Sequence, residues 1–264
     1  QAAIGLLGPE IEISSHEHFE EVFRVTTAGE VDHCLIPIEN SLSGSIHKNY
    51  DLLLQHNLKI AKETNLRVEH NLIVLPGVKF TEVETVASHP VALDQCGRFF
   101  EEHPQLTKAS SYDTSGSVKQ IMEQELKSTA AIAGEKAADH YGAEVLMAGI
   151  QDNQENFTRF FLLARDPEIW ESCNKTSIVF SFKNTPGALF KCLGVFALRD
   201  IDLFKIESRP IAGRAWEYLF YMDFLGTPEV EACRNALNHL GELTEFLEVL
   251  GSYPRDATLE KKRI

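Results

Sequence analysis

Ala130-Ala-Ile-Ala-Gly-Glu135-Lys-Ala-Ala-Asp-His140-Tyr-Gly-Ala-Glu-Val145-Leu-Met-Ala148 is the stretch that decides the fold. A short strand-like run, Ala130 to Ala133, gives way to a helix-length segment, Glu135 to Tyr141, and then to a second short run, Glu144 to Ala148. The alternation extends upstream. Val83 to Ser88 reads as a strand and Val91 to Glu102 as a helix, opened by His89-Pro90 where proline suits the first turn. Lys108 to Tyr112 reads as a strand, and the loop Asp113-Thr114-Ser115 leads into a helix through Lys127. Strands alternating with helices predict an α/β sheet with crossover connections, and the polar loops at strand ends are where such sheets bind ligands.

Further upstream, a helix is expected from about Ser15 to Ala28, with Ser14 and Glu17 spaced as a capping box and Phe19, Val22 and Phe23 on its buried stripe. A strand at Cys34 to Ile36, a polar loop Glu39 to Ser45, a helix Ile46 to His56 and strand-like runs at Leu58 to Glu63 and Leu66 to Leu75 follow. Pro76-Gly77 is the hinge candidate. It separates a first lobe, about 1–76 with 149–166, from a second, about 77–148.

Downstream, Gln151-Asp-Asn-Gln-Glu-Asn-Phe-Thr158-Arg159-Phe160-Phe-Leu-Leu163 joins a turn-forming run to a strand. Thr158 and Arg159 therefore stand at the mouth of a sheet. Alone this is an ordinary strand start, but three other loops carry hydroxyl and amide donors: Asn40-Ser41 with Ser43 and Ser45, Ser88-His89, and Thr114 with Ser117. Each has a plain explanation as a helix cap or turn. Together they predict a donor-rich cleft between the two lobes. His89 reads equally well as a turn residue at a helix start and as a group in that cleft.

From Lys175 to Tyr253 the order changes to strand (Thr176–Phe182), helix (Pro186–Leu198), strand (Ile201–Ser208), strand (Trp216–Phe224), helix (Pro228–Leu240), strand (Phe246–Leu250). That is the βαββαβ split pattern. It predicts a separate domain over about 175–254, reached through the polar linker Arg165–Asn174. Asn184-Thr-Pro-Gly187 places a turn ahead of a helix, so the amides of Ala188 and Leu189 are candidates to face a carboxylate.

Composition bounds the partners. The net charge of −14 disfavours nucleic acid, and Lys261-Lys262-Arg263 is the one basic cluster. The apolar runs are short of a membrane span. Five scattered cysteines without a C-x-x-C pair suggest neither a disulfide frame nor a metal site, and none is assigned. His16 and His18 have no carboxylate spacing that suggests a metal. A cytoplasmic protein is expected, or one of the plastid stroma if the source is a plant.

Ile36-Pro-Ile-Glu-Asn-Ser41 with Gly44-Ser-Ile46, Ser88-His-Pro90 with Gln95-Cys96, Asp113-Thr114 with Ser117, and Asn156-Phe-Thr-Arg-Phe160 occur in the order of the blocks of prephenate dehydratases. Gly187-Ala-Leu-Phe190 and Glu207-Ser-Arg-Pro210 resemble the two tetrads of phenylalanine-sensing ACT domains. The chain thus resembles prephenate dehydratase, including the plant type that uses arogenate, with a C-terminal ACT domain. The opening strand and Gly-rich loop of that pattern are expected to be absent, with Gln1 falling inside or just before the first helix.

The resemblance implies an α/β fold. Residues 1–170 would form a two-lobed catalytic domain of Rossmann-like, periplasmic-binding-protein-like subdomains, and a ferredoxin-like regulatory domain would follow. It implies a lyase that needs no cofactor and converts prephenate to phenylpyruvate, carbon dioxide and water, aromatisation driving the step. Thr158 would donate to the leaving hydroxyl, Arg159 would grip a carboxylate or orient Thr158, and Phe160 would pack against the ring or wall off water. Asn40, Ser41, Ser88, His89, Thr114 and Ser117 would hold the substrate. L-Phenylalanine would act as allosteric effector at Asn184, Gly187, Ala188, Leu189, Phe190, Glu207, Ser208, Arg209 and Pro210, in a homodimer or homotetramer. Two alternatives remain: an arogenate dehydratase making phenylalanine directly, and a non-catalytic amino-acid-sensing binding protein.

Overall fold

In chain order, helices α1 (Ala2–Leu7) and α2 (Phe19–Ala28) precede β1 (His33–Asn40), β2 (Gly44–Ser45), α3 (His47–His56) and β3 (Lys59–Arg67). Next come β4 (Asn71–Val74), β5 (Thr85–Ser88), α4 (Pro90–Asp94), α5 (Gly97–Glu102), β6 (Thr107–Ser110), α6 (Thr114–Glu123), β7 (Thr129–Ala133), α7 (Glu135–Tyr141) and β8 (Glu144–Met147). The chain ends with β9 (Phe157–Ala164), β10 (Lys175–Ser181), α8 (Ala188–Ala197), β11 (Leu203–Pro210), β12 (Tyr218–Leu225), α9 (Glu231–Leu243) and β13 (Phe246–Tyr253). This computed structural model describes residues 1–167, 172–211, 213–214 and 216–256; Lys261-Lys262-Arg263 and the middle of the Arg165–Asn174 linker lie outside them. Among the described residues, no helix is long and apolar enough to cross a membrane.

The chain divides into two compact units, one of residues 40–44 and 66–158 with Gln1, the other of residues 2–39, 45–65 and 159 onward. In the first, five strands run in the order β6-β5-β7-β4-β8. β5 pairs parallel with β6 and β7, as strand–helix alternation requires, while β4 pairs antiparallel with β7 and β8. This corrects the hinge. All four residues of β4 are buried, with Leu72 in register with Ile132 on one side and Met147 on the other. The strand before Pro76-Gly77 thus belongs with those after it, and the boundary falls at 65/66 and 158/159. Pro76-Gly77 is the turn leaving β4, where Gly77 takes a φ of 83° and donates its amide to Glu144 Oε2 at 2.7 Å.

Two helices start or break differently from the sequence pattern. α2 begins at Phe19 with His18 as a cap that makes no side-chain bond, so the Ser14/Glu17 capping box is not formed. The helix expected over 91–102 is interrupted at Gln95-Cys96. There the Asp152 carboxylate accepts from the amides of Gly97 (2.8 Å) and Arg98 (3.0 Å), restarting the helix as α5.

In the second unit, the sheet β2-β1-β9-β3 is covered by α2 and α3, whose Phe23, Tyr50 and Leu53 meet Ile36, Ile38 and Phe161. The C-terminal strands run β11-β12-β10-β13, all antiparallel in their pairings, which is the βαββαβ ferredoxin-like arrangement. One face of that sheet, with Ile178, Phe180, Met222 and Phe224, packs on α8 and α9 through Val195, Phe196 and Leu240. The other face, with Val179, Tyr221, Leu250 and Tyr253, joins the core of the first sheet. Being covered on both sides, β10 reads as an unbroken buried run rather than an alternating one. Burial of Val179 and Leu250 stabilises by roughly 1.5–3 kcal/mol each. The 175–254 segment is therefore fused to 2–39, 45–65 and 159–164 through a common core, where an independent domain was expected. Gly251 marks the closest approach, since a Cβ there would overlap the backbone of Ile60.

Candidate active site

The first unit brings Asn40 and Thr158 into direct contact. Asn40, the last residue of β1, accepts from the amides of Leu42 (3.0 Å) and Ser43 (2.9 Å) through Oδ1. Its Nδ2 donates to Asn156 Oδ1 at 2.7 Å, to Thr158 Oγ1 at 3.1 Å and to the Phe157 carbonyl at 3.2 Å. With two hydrogens for three acceptors, one goes to Asn156 and the other is shared. An amide nitrogen cannot accept, so the Thr158 hydroxyl receives from Asn40 and directs its own proton elsewhere. That is the polarity a hydrogen-bond donor to a leaving group needs.

Three residues absent from the sequence-based site lie behind this pair. Asn156 Nδ2 donates to Gln95 Oε1 at 3.0 Å, and His70 Nε2 meets the same oxygen at 2.8 Å. Asn156 is 1% and His70 5% exposed. Burial lowers the His70 pKa, partly offset by its bond to Gln95, so the ring is neutral at physiological pH. A signal for Gln95 was available: it stands with Cys96 in one of the blocks quoted above.

The other predicted binding residues divide. Ser41 donates to the Glu155 carbonyl at 3.0 Å and accepts from the Phe157 amide at 2.9 Å, tying its loop to the start of β9. Ser88 is fully buried and donates to the Ile132 carbonyl at 2.6 Å. Ser117 is 1% exposed and bonds the Asp113 carbonyl at 2.8 Å and Ser111 Oγ at 2.5 Å. Ser88 and Ser117 thus serve the fold, because each hydroxyl answers a backbone carbonyl inside it. His89 caps α4, its Nδ1 accepting from the Val91 amide at 3.2 Å. Thr114 opens α6 behind the Asp113 cap.

Thr158 and Arg159 do not act side by side. Successive strand residues point to opposite faces, so Thr158 and Phe160 share one face of β9 and Arg159 and Phe161 the other. Phe160 is half-buried. The Arg159 guanidinium lies 4.7 Å over the Phe161 ring and is engaged by buried carboxylates. Its Nε donates to Glu63 Oε2 at 2.8 Å, and its Nη2 lies 2.7 Å from Glu63 Oε2, 2.8 Å from Asp223 Oδ2 and 3.1 Å from the Tyr253 hydroxyl. Lys175 meets the same two carboxylates at 3.0 and 3.4 Å. Burial alone would raise the Asp223 pKa, but Arg159, Lys175 and the Ser177 hydroxyl outweigh it and hold the carboxyl below its ordinary value. Nε and Nη2 of Arg159 are thus bonded within the second unit and Nη1 lies 3.8 Å from Glu39 Oε2, so a two-pronged grip on substrate would compete with these carboxylates.

A further cavity in the second unit, of about 320 Å³, is lined by Asn184, Gly187, Ala188, Leu189, Phe190 and Ser208 with Phe182, Thr185, Tyr218 and Phe220. Gly187 has a φ of 77°, the left-handed conformation that lets the chain turn into α8. The Ala188 amide donates to the Thr185 carbonyl at 3.1 Å and so closes the turn instead of facing a ligand. Glu207 and Arg209 point away, as alternation along β11 demands. Glu207 accepts from Lys205 at 2.8 Å and from Ser45 Oγ, and Arg209 pairs with Asp51. Pro210 is exposed and lies outside the lining.

An α/β fold that holds a hydroxyl by an amide offers a placed hydrogen-bond donor, the equipment of an enzyme that assists a leaving group. Comparison with known proteins agrees. Residues 1–168 match the family model described as prephenate dehydratase. Arogenate dehydratase/prephenate dehydratase 2, chloroplastic, of Arabidopsis thaliana is 46% identical over 262 residues, covering 95% of this chain and 68% of the relative. The Arthrobacter aurescens prephenate dehydratase solved in complex with L-Phe is 30% identical with a TM-score of 0.81, over 89% of this chain and 79% of that one. A structure described as GqqA, a novel type of quorum quenching acylase, is 30% identical with a TM-score of 0.87, over 97% and 93%. The chain belongs to the prephenate dehydratase family and is a dehydratase, a carbon–oxygen lyase.

Proposed function

We propose that this chain removes water and carbon dioxide from prephenate or from its amino counterpart arogenate, giving phenylpyruvate or phenylalanine. The carbon–oxygen bond of the ring hydroxyl breaks as the bond to the ring carboxylate releases its electron pair into the ring. Carbon dioxide leaves, and the departing hydroxide takes a proton to become water. Thr158 supplies or relays that proton as a hydrogen-bond donor, since a neutral threonine is too weak an acid to ionise freely. Asn40 presents the hydroxyl, Phe160 shields the site from water, and Thr114 and His89 are the remaining candidates to contact substrate. Arg159 acts on Thr158 through the strand, holding β9 in place from its opposite face. The observation that carries this reading is the Asn40 Nδ2 to Thr158 Oγ1 bond, which leaves the hydroxyl proton available.

Regulation by L-phenylalanine is part of the proposal, supported by the L-Phe in complex with the Arthrobacter relative and by the aromatic-walled cavity at Gly187 to Phe190. The 175–254 segment would be its ACT domain, in a homodimer or homotetramer. The compartment follows the host: the plastid stroma in a plant, as for the Arabidopsis relative designated chloroplastic, and otherwise the cytoplasm. The test offers prephenate, arogenate and an acyl-amide substrate in parallel, with and without L-phenylalanine. Phenylpyruvate or phenylalanine formation that responds to the effector supports the reading. Amide cleavage alone overturns it.

A further inference from the structure

We propose that His70 is a positioning residue for the Thr158 hydroxyl: as the Nε2–H tautomer it terminates a one-way chain of side-chain hydrogen bonds that turns the Asn40 amide toward Thr158. The inference rests on Thr158 being the donor proposed above, and it follows from donors that cannot reverse. The backbone amides of Leu42 and Ser43 can only donate, so the Asn40 atom they meet is its oxygen, and its nitrogen faces Asn156 and Thr158. The Asn156 atom facing that nitrogen must then be oxygen, which leaves its own nitrogen toward Gln95. Gln95 must answer with oxygen, and the His70 Nε2 that meets the same oxygen must carry a hydrogen.

The His70 backbone is pinned by the same logic. The Arg67 guanidinium, which cannot accept, donates to Gln154 Oε1 at 2.9 Å, and Gln151 Nε2 donates to that oxygen at 3.0 Å. Gln151 Oε1 is thereby turned to accept the His70 amide at 2.9 Å. The polarity of the chain is thus set at the Asn40 end by the one-way amides of Leu42 and Ser43, and its His70 end is held in place by the anchored backbone. A residue at 70 that presented an acceptor would set two lone pairs against each other at Gln95, and the amides could relieve this only by flipping. A flipped Asn40 would point oxygen at Thr158 and accept the proton that the reaction needs.

Three measurements test this. In histidine-labelled protein at neutral pH, long-range proton–nitrogen spectra should show His70, identified by the signal lost in His70→Gln, with Nε2 protonated and Nδ1 bare. An Nδ1–H tautomer would overturn the proposal whatever the kinetics. In steady-state assays, His70→Leu should lower kcat roughly 10–100-fold with KM little changed, the scale expected of a misplaced catalytic group. His70→Gln, whose amide nitrogen can replace Nε2–H, should recover most of that loss. Equal losses in the two variants, or a change in KM alone, would overturn it. In the Thr158→Ala background, His70→Leu should cost little more, and a full second loss would mean that His70 acts by another route. Thr158→Ala retaining normal turnover would sink the donor reading itself, while leaving the tautomer result interpretable.

Discussion

Replacing Asp223 by Asn should destabilise the protein far more than removing any surface ion pair. In the native cluster two cations, Arg159 and Lys175, face two carboxylates, Glu63 and Asp223, with side-chain exposures of 11%, 7%, 2% and 5%. Asn keeps the shape and can still accept from Ser177 Oγ through Oδ1, a bond of 2.5 Å in the native protein. What it removes is one negative charge, leaving two buried cations with Glu63 as their one buried carboxylate and the half-exposed Glu39 3.8 Å from Arg159. Breaking a buried pair from one side costs about 3–5 kcal/mol, a large part of the ~5–15 kcal/mol by which a domain is stable. With a urea m-value of about 2–3 kcal/mol/M, the unfolding midpoint should fall by roughly 1–2.5 M. Adding Lys175→Met removes the orphaned cation and should recover at least half of the loss, because the two sites are coupled. The pH dependence has a definite sign. The Asp223 pKa is depressed in the fold, so its stabilisation is fully present above the unfolded value of about 3.9 and lost as pH falls through the folded one. The Asn variant should lack that component. A midpoint change equivalent to less than ~1 kcal/mol, typical of exposed pairs, or strict additivity with Lys175→Met, would refute the view that this cluster joins the two sheets.

Gly251→Ala should lower stability by about 1–3 kcal/mol, the usual cost of overpacking, read as a lower thermal midpoint with the dehydratase site intact. Ser88→Ala should cost roughly 0.5–1.5 kcal/mol by leaving the Ile132 carbonyl without its donor, and KM should stay unchanged because the hydroxyl faces inward. His70 has a folded pKa below its unfolded value of about 6.5. The unfolded chain therefore binds more protons there, and stability should fall as pH drops below that value; His70→Gln should flatten this part of the profile in thermal melts.

Much of the fold was legible because periodicity and turn chemistry agree locally. The strand–helix alternation from Val86 to Val145 and the βαββαβ order after Lys175 both rest on such patterns. What could not be read was partnership across distance. Nothing in Asn71–Val74 says that it pairs with Ile132 and Val145 and not with the strands before it. Lys175 and Asp223 look like ordinary surface charges until β10 and β12 are seen to be covered on both faces. Asn40 and Thr158 are in contact, while Ser88 and Ser117 turn inward, since a hydroxyl at a strand end or in a first helical turn finds a backbone carbonyl as readily as a ligand. Arg159 was misjudged by its neighbour: adjacency in a strand means opposite faces. The polar chain through Gln95 and His70 was hidden because its members lie far apart in sequence.

The most direct test compares Thr158→Ala and Thr158→Ser with the native chain, using prephenate and arogenate as substrates. The account predicts that Thr158→Ala lowers kcat by about 10²–10⁴-fold with KM within a few-fold, and that Thr158→Ser, which keeps the hydroxyl, restores most of it. A Thr158→Ala enzyme with near-normal kcat, or one whose loss lies in KM alone, would contradict it.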